Sequence, residues 1–199
     1  HCGLVGSEMC IRDRLDSVER CACRTVMNEV FNRLTAWLAP ILCFTAEEAW
    51  QSRAGDSADS IHLHSYAPVP SEWHDDALGA RWDSIRRVRQ VVTSALETAR
   101  NDGAIGASLQ AAPTVHVSPE IAAHFDGEDA AMLFITSDAQ ISVEPAPEDA
   151  FRIEGVEDAA VVFALAAGGK CERCWKIMPE VTGDTDICRR CFEVVNATV

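Results

Sequence analysis

The sequence predicts a mainly α chain in three parts: an antiparallel helical bundle over residues 15–100, a small α/β subdomain over 101–167, and a terminal ribbon over 168–199 organised by four cysteines. Three observations carry this reading. Apolar residues recur at steps of three and four through the first hundred positions, the spacing that places them on one helix face. After Asn101-Asp102-Gly103, a strong turn signal, the pattern breaks into short units. The chain then ends in two Cys-x2-Cys pairs.

Residues 1–14 fit none of these parts. They hold no apolar core of a signal peptide, and Cys2 and Cys10 match no metal spacing. The string Gly3-Leu4-Val5-Gly6-Ser7-Glu8-Met9-Cys10-Ile11-Arg12-Asp13-Arg14 reads like translated sequencing-adapter DNA, so 1–14 is expected to be a non-native leader and the chain a fragment of a longer protein.

From Leu15 the elements follow in order. Leu15, Val18, Ala22, Val26, Val30, Leu34, Trp37 and Leu38 predict one long amphipathic helix, with Arg20, Arg24 and Arg33 elsewhere on the wheel. Pro40 disfavours continuing it past Ala39. Thr45 with Glu48 three residues later makes a capping box for a short second helix over 46–53. Gly55, Asp56, Ser57 and Asp59 form a polar loop, Ile61-His62-Leu63-His64 alternates briefly, and Pro68-Val69-Pro70-Ser71 is turn-rich. Leu78, Trp82, Ile85, Val88, Val92, Leu96 and Ala99 share one face of a third helix over 75–99. One-faced helices on short connections predict the bundle. Beyond it, Thr114–Val117 and Ile141–Val143 read as strands, Pro119–Phe125 and Asp129–Ile135 as helical turns, and Ala159–Ala166 as a buried strand or short helix. Pro145, Pro147, Glu148 and Asp149 make a loop.

Charge is unevenly spread. The chain has 17 basic and 31 acidic residues, a formal net charge of −14, which argues against a uniformly basic nucleic-acid binder. Residues 101–167, however, carry 12 acidic groups against Arg152 alone, while 168–199 carry five of each sign. No apolar run approaches the roughly 20 residues that cross a bilayer, so a membrane-spanning role is not expected. Nothing indicates secretion, and a cytoplasmic location is expected.

The ribbon holds the sharpest chemistry. Cys171-x2-Cys174 and Cys188-x2-Cys191 are separated by 13 residues, a spacing that lets four thiolates surround one Zn²⁺ tetrahedrally. A closed four-thiolate site leaves no position for water, so the expected zinc is structural, not catalytic. Two disulfides and a redox Cys-x2-Cys are the competing readings. Cys21, Cys23 and Cys43 are expected as small buried apolar residues. Arg173, Trp175 and Lys176 flank Cys174, so one rigid loop would present a guanidinium, an indole and an ammonium, the groups that stack on unpaired bases and hold phosphates. The alternative is that Trp175 packs the ribbon's small core. Arg81, Arg86, Arg87 and Arg89 form a second basic cluster, which a solvated helix face would equally explain.

Three stretches carry a family resemblance: Trp37-Leu38-Ala39-Pro40-Ile41-Leu42-Cys43-Phe44-Thr45-Ala46-Glu47-Glu48-Ala49-Trp50, Ile105-Gly106-Ala107-Ser108-Leu109-Gln110-Ala111, and Lys170-Cys171-Glu172-Arg173-Cys174-Trp175 with its partner knuckle. Over about residues 15–195 the chain resembles the C-terminal region of bacterial isoleucyl-tRNA synthetases, of the class I aminoacyl-tRNA synthetases. The resemblance implies an anticodon-binding helical domain over 15–100, a junction subdomain over 101–167, and a zinc-bearing end that helps hold the anticodon arm of isoleucine tRNA. It implies one zinc on Cys171, Cys174, Cys188 and Cys191 and makes Arg173 and Trp175 the best candidates for anticodon contact; Lys176, Arg86, Arg87 and Arg89 are expected to join them in binding tRNA on the strength of their charge. The family's ATP-binding signatures, His-x-Gly-His and Lys-Met-Ser-Lys-Ser, do not occur, so no residue here is expected to be catalytic. ATP use, isoleucine transfer and hydrolysis of mischarged valine would belong to preceding catalytic and editing domains. A zinc ribbon serving only stability or protein contact, and the end of a DNA glycosylase, are the alternatives. The glycosylase would need an N-terminal Pro nucleophile that this chain lacks.

Overall fold

The computed structural model describes residues 17–55, 59–183 and 186–196; the expected leader and Leu15 lie outside the described residues. Contacts divide the chain between His74 and Asp75 into two units.

In the first unit, helix α1 (Val18–Leu38) starts where Ser17 Oγ accepts the Arg20 N–H at 3.1 Å. It ends before Pro40, as the sequence predicts. The chain turns there, with the Ile41 and Leu42 N–H groups donating to the Leu38 carbonyl at 2.9 and 2.7 Å. Helix α2 (Cys43–Ala54) follows at once, with Leu42 at its N-cap making no side-chain capping bond. The expected Thr45–Glu48 capping box is therefore not formed: the turn after Pro40 returns the backbone to helix early enough that Thr45 lies inside the first turn. Ile61–Leu63 is a 3₁₀ turn instead of an alternating segment. The Glu47 carboxylate explains this, because it accepts from Ser60 Oγ at 2.8 Å and the Ile61 N–H at 3.0 Å and curls the chain against α2. The core of this unit is small, comprising Ala36, Ala39, Ala46 and Ile61 with Trp50 against them. Most of the apolar stripe of α1, including Val18, Val26, Val30, Leu34 and Trp37, is exposed. Cys21 and Cys43 are exposed too and Cys23 is intermediate, which corrects the expectation that these cysteines are core residues. The described core covers only the C-terminal end of α1.

In the second unit, helix α3 (Asp76–Asn101) begins with Asp75 Oδ1 accepting the Leu78 N–H at 2.9 Å. Strands β1 (Thr114–Val117), β2 (Gln140–Ser142), β3 (Phe151–Ile153) and β4 (Val156–Val162) form a mixed sheet of order β2-β1-β4-β3. Strand β1 runs parallel to β2 and antiparallel to β4, with Val115 opposite Val161. One face of the sheet must be covered to bury its alternate residues. Ile85, Val88, Val91, Val92, Ala95, Leu96 and Ala99 of α3 supply that cover, packing with Val115, Val117, Ala159 and Val161. The apolar face of α3 is thus spent on the sheet, and the antiparallel bundle expected over 15–100 is not confirmed, although its helices are present. Short helices α4 (Pro119–Ala123) and α5 (Ala130–Phe134) stand where the sequence places helical turns. The open choice over 159–166 resolves as strand through Val162, followed by an isolated bridge from Leu165 to Ala111. Strands β5 (Gly169–Lys170) and β6 (Ile177–Met178) and helix α6 (Arg189–Asn196) complete the ribbon. Among the described residues no helix is long and apolar enough to cross a membrane.

Candidate functional site

The ribbon is a hairpin followed by a loop and a helix. Strands β5 and β6 pair antiparallel, with Gly169 opposite Met178 and Lys170 opposite Ile177, and the first cysteine pair occupies the turn between them. Within that turn the Cys171 N–H donates to the Lys176 carbonyl and the Trp175 N–H to the Cys171 carbonyl, both at 2.9 Å. The reversal requires one left-handed residue, and Trp175 takes it at φ 66°. Gly168 permits the next close approach: at φ 117°, a Cβ there would lie 2.1 Å from the Met178 carbonyl oxygen. The second pair spans the start of α6, so Cys188 and Cys191 share one side of its first turn.

The four Sγ atoms all lie within 4.8 Å of one another, and those of Cys174 and Cys188 are 3.7 Å apart. A metal ion ringed tetrahedrally by thiolates at about 2.3 Å would have sulfur–sulfur edges of about 3.8 Å. The cluster therefore fits one ion, and all four thiols are free, not joined as disulfides. Cys171, Cys188 and Cys191 are buried. Burial opposes ionisation of Cys171, yet N–H groups of Cys174, Cys188 and Arg173 turn toward its sulfur and bring its pKa down to about 6. The Cys188 N–H is 3.3 Å from that sulfur. Burial pushes the Cys174 thiol up, and its neighbours Cys171 and Cys188 add to the effect. Backbone donors and the Cys174 side chain together favour one thiolate; ionising all four needs a cation between them. Arg173 Nη1, 3.8 Å from Cys191 Sγ, offsets part of the charge from outside.

The structure places the other expected residues unequally. Trp175 is 43% exposed and Arg173 half-buried, but Lys176 is only 8% exposed, so the loop does not present three groups together. The ammonium beside the indole belongs to Lys170, whose Nζ lies 5.4 Å from the ring centroid. Sequence adjacency favours Lys176; the signal for Lys170 is hairpin register, which carries it back alongside the turn. Arg86, Arg87 and Arg89 are exposed on α3. Arg86 pairs with Asp83 and Arg87 with Asp158 of β4. Arg81 is held by the His124 and Asp126 carbonyls at 2.8 and 3.1 Å and by Glu128 at 3.0 Å.

Residues 9–117 match the family described as the anticodon-binding domain of tRNA ligase. The chain belongs to that family. Curated relatives of this anticodon-binding chain are isoleucine–tRNA ligases. That of Gluconobacter oxydans (strain 621H) is 46% identical over 181 residues, covering 89% of this chain and 18% of the relative. Those of Agrobacterium fabrum and Ruegeria pomeroyi are each 44% identical, covering 86% and 88% of this chain and 18% of their own length. The chain thus spans less than a fifth of these relatives. The cysteine ribbon lies beyond the family match at 9–117, but an alignment over 89% of the chain leaves too few residues for the ribbon to fall wholly outside it.

Proposed function

We propose that this chain is the tRNA-recognition part of an isoleucine–tRNA ligase, gripping the anticodon arm of isoleucine tRNA, with one structural Zn²⁺ on Cys171, Cys174, Cys188 and Cys191. The observation that carries the reading is the four-thiol cluster directly beneath the exposed Trp175, on a chain that belongs to an anticodon-binding family. An all-sulfur, four-donor set of this size favours zinc held in a closed site. Zinc there supplies rigidity and no chemistry on the substrate.

The work on tRNA falls to the chain's own side chains. The Trp175 indole is part-exposed with the Lys170 ammonium beside its ring, and an unpaired base would stack on its exposed area. Arg173, Arg86, Arg87 and Arg89 would meet phosphates, and the buried Lys176 would add positive potential. Residues 101–167, whose sheet packs on α3, stand in the chain between the helices and the ribbon over 168–199. In the complete cytoplasmic enzyme, ATP-dependent activation of isoleucine, its transfer and the removal of mischarged valine belong to domains outside this chain, and no residue here is catalytic.

Binding of the zinc-loaded chain to isoleucine tRNA and to an unrelated tRNA, titrated against salt, tests the reading. Preference for isoleucine tRNA with log K falling linearly against log salt is expected. Equal binding to both, or no salt slope, would instead favour a ribbon serving stability or protein contact.

A further inference from the structure

Ser137 lies in the bend between α5 and β2, just after Ile135 in its left-handed conformation at φ 59°. It is only 6% exposed, and its hydroxyl is used in both directions. It donates to the Leu109 carbonyl and accepts the Ile177 N–H of β6 at 2.6 Å. Its own N–H donates to the Ala111 carbonyl at 3.1 Å. One buried hydroxyl therefore joins the ribbon to the 109–111 segment, two residues after Trp175.

That segment belongs to Ile105–Ala111, one of the stretches that carried the sequence resemblance without an evident role. In the structure it is a bracket. The Gln110 side chain folds back to accept the Gly106 and Ala107 N–H groups, which fixes the turn. The Gln110 carbonyl takes the Ala166 N–H, and the Ala112 N–H donates to the Ala164 carbonyl, both at 2.8 Å, so the bracket also grips the segment that leads into the ribbon. The lead-in is held by backbone bonds, whereas β6, on the far side of the metal turn, reaches the bracket through Ser137.

We propose that Ser137 is a positioning residue for tRNA recognition: by pinning β6 to the 109–111 bracket it fixes where the Trp175 loop stands. The proposal rests on the tRNA-recognition reading above, but its physical core, the latch, is measurable without tRNA. The experiment uses the full zinc-loaded chain and Ser137→Ala, with amide exchange, zinc content and tRNA affinity as readouts. Ser137→Cys, whose thiol is a similar shape but a weaker acceptor, stands in should the alanine variant not fold. One zinc per chain and protected β1 and β4 amides should be kept. The Ile177 amide should exchange about tenfold faster, and isoleucine tRNA should bind about fivefold to tenfold more weakly. Because Ser137 acts through the Trp175 loop, the same substitution in a Trp175→Ala background should cost almost no further affinity. Unchanged exchange at Ile177, or an affinity loss that adds in full to that of Trp175→Ala, overturns the proposal. If the unsubstituted chain shows no preference for isoleucine tRNA, the recognition reading falls; Ile177 exchange then decides the latch alone, faster exchange upholding it and unchanged exchange ending it.

Discussion

Replacing Cys171 by Ser tests the centre of the site. Cys171 is fully buried, lies within 4.8 Å of the other three sulfurs and accepts the Cys188 N–H at 3.3 Å, so a serine there removes one ligand and shortens the reach of the side chain. The ribbon has little else to hold it. Apart from the ligand cysteines, the buried residues among those described in it are Val181, Val194 and Lys176. Two buried valines contribute about 1.5–3 kcal/mol each, against about 10–16 kcal/mol for zinc in small structural sites. Loss of the ion should therefore unfold 168–196 as a unit. The sheet unit has its own core in Val88, Val91, Val92, Val115 and Val161 and should survive. Elemental analysis should fall from about one zinc per chain to near zero, and amide exchange should lose protection through the ribbon while β1 and β4 keep theirs. Cys21→Ser, at an exposed cysteine outside the cluster, should change neither reading. A Cys171→Ser chain that keeps one zinc and a protected ribbon would refute the ligand assignment.

Gly168→Ala forces a methyl against the Met178 carbonyl at a left-handed φ, so it should destabilise the β5–β6 hairpin by about 1–3 kcal/mol, read as weaker zinc retention against a chelator. Trp175→Ala should weaken isoleucine-tRNA binding by about 1–3 kcal/mol with the ribbon still folded; loss of fold at unchanged affinity would mean that the indole packs instead. Hydrogen bonds from Gln51 and Ser60 hold the Glu47 carboxyl below its usual 4.5. That stabilisation is present above pH 4.5 and is lost as pH falls through the depressed value, so thermal melting of the first unit should show an acid decline that Glu47→Gln removes. Arg89→Ala should lower the salt slope of tRNA binding by about one without altering base preference.

What the sequence revealed and what it hid divide along physical lines. Strand β1 was legible to the residue, and the ends of α1 and α3 to within three, because Pro40, Asp75 and Asn101-Asp102-Gly103 act on the backbone locally. The metal cluster was legible for the same reason, since each Cys-x2-Cys is a local turn and only the pairing of the two is long-range. The partner of α3 was not. Periodicity marks Val88 and Val92 as inward but cannot say whether a helix or a sheet lies inside. The capping box at Thr45 failed because a proline turn upstream had already restarted the helix. Strands β3, β5 and β6, of two or three residues each, carry no periodicity to detect. Lys170 was hidden because register, not adjacency, brings it to Trp175.

The charge distribution ranks the basic residues of α3. A net charge of −14 weighs against phosphate binding, and most of it resides in residues 101–167. In the structure α3 meets part of that acidity, Arg81 reaching Glu128 and Arg87 reaching Asp158. The arginines differ in what a phosphate would have to displace. Arg81 would give up two carbonyls as well as Glu128, stranding groups that its guanidinium now satisfies. Arg87 and Arg86 would each give up a single exposed ion pair, worth about 0–1 kcal/mol, and a charge-assisted bond to phosphate offsets that. Arg89 pairs with no acid among the described residues and would give up nothing but water. The order Arg89, Arg86, Arg87, Arg81 therefore follows from the partners each already has. It also separates two roles within one cluster: Arg81 and, more weakly, Arg87 tie the helix to the acidic subdomain, whereas on the proposed reading Arg89 and Arg86 would be the first to meet a phosphate.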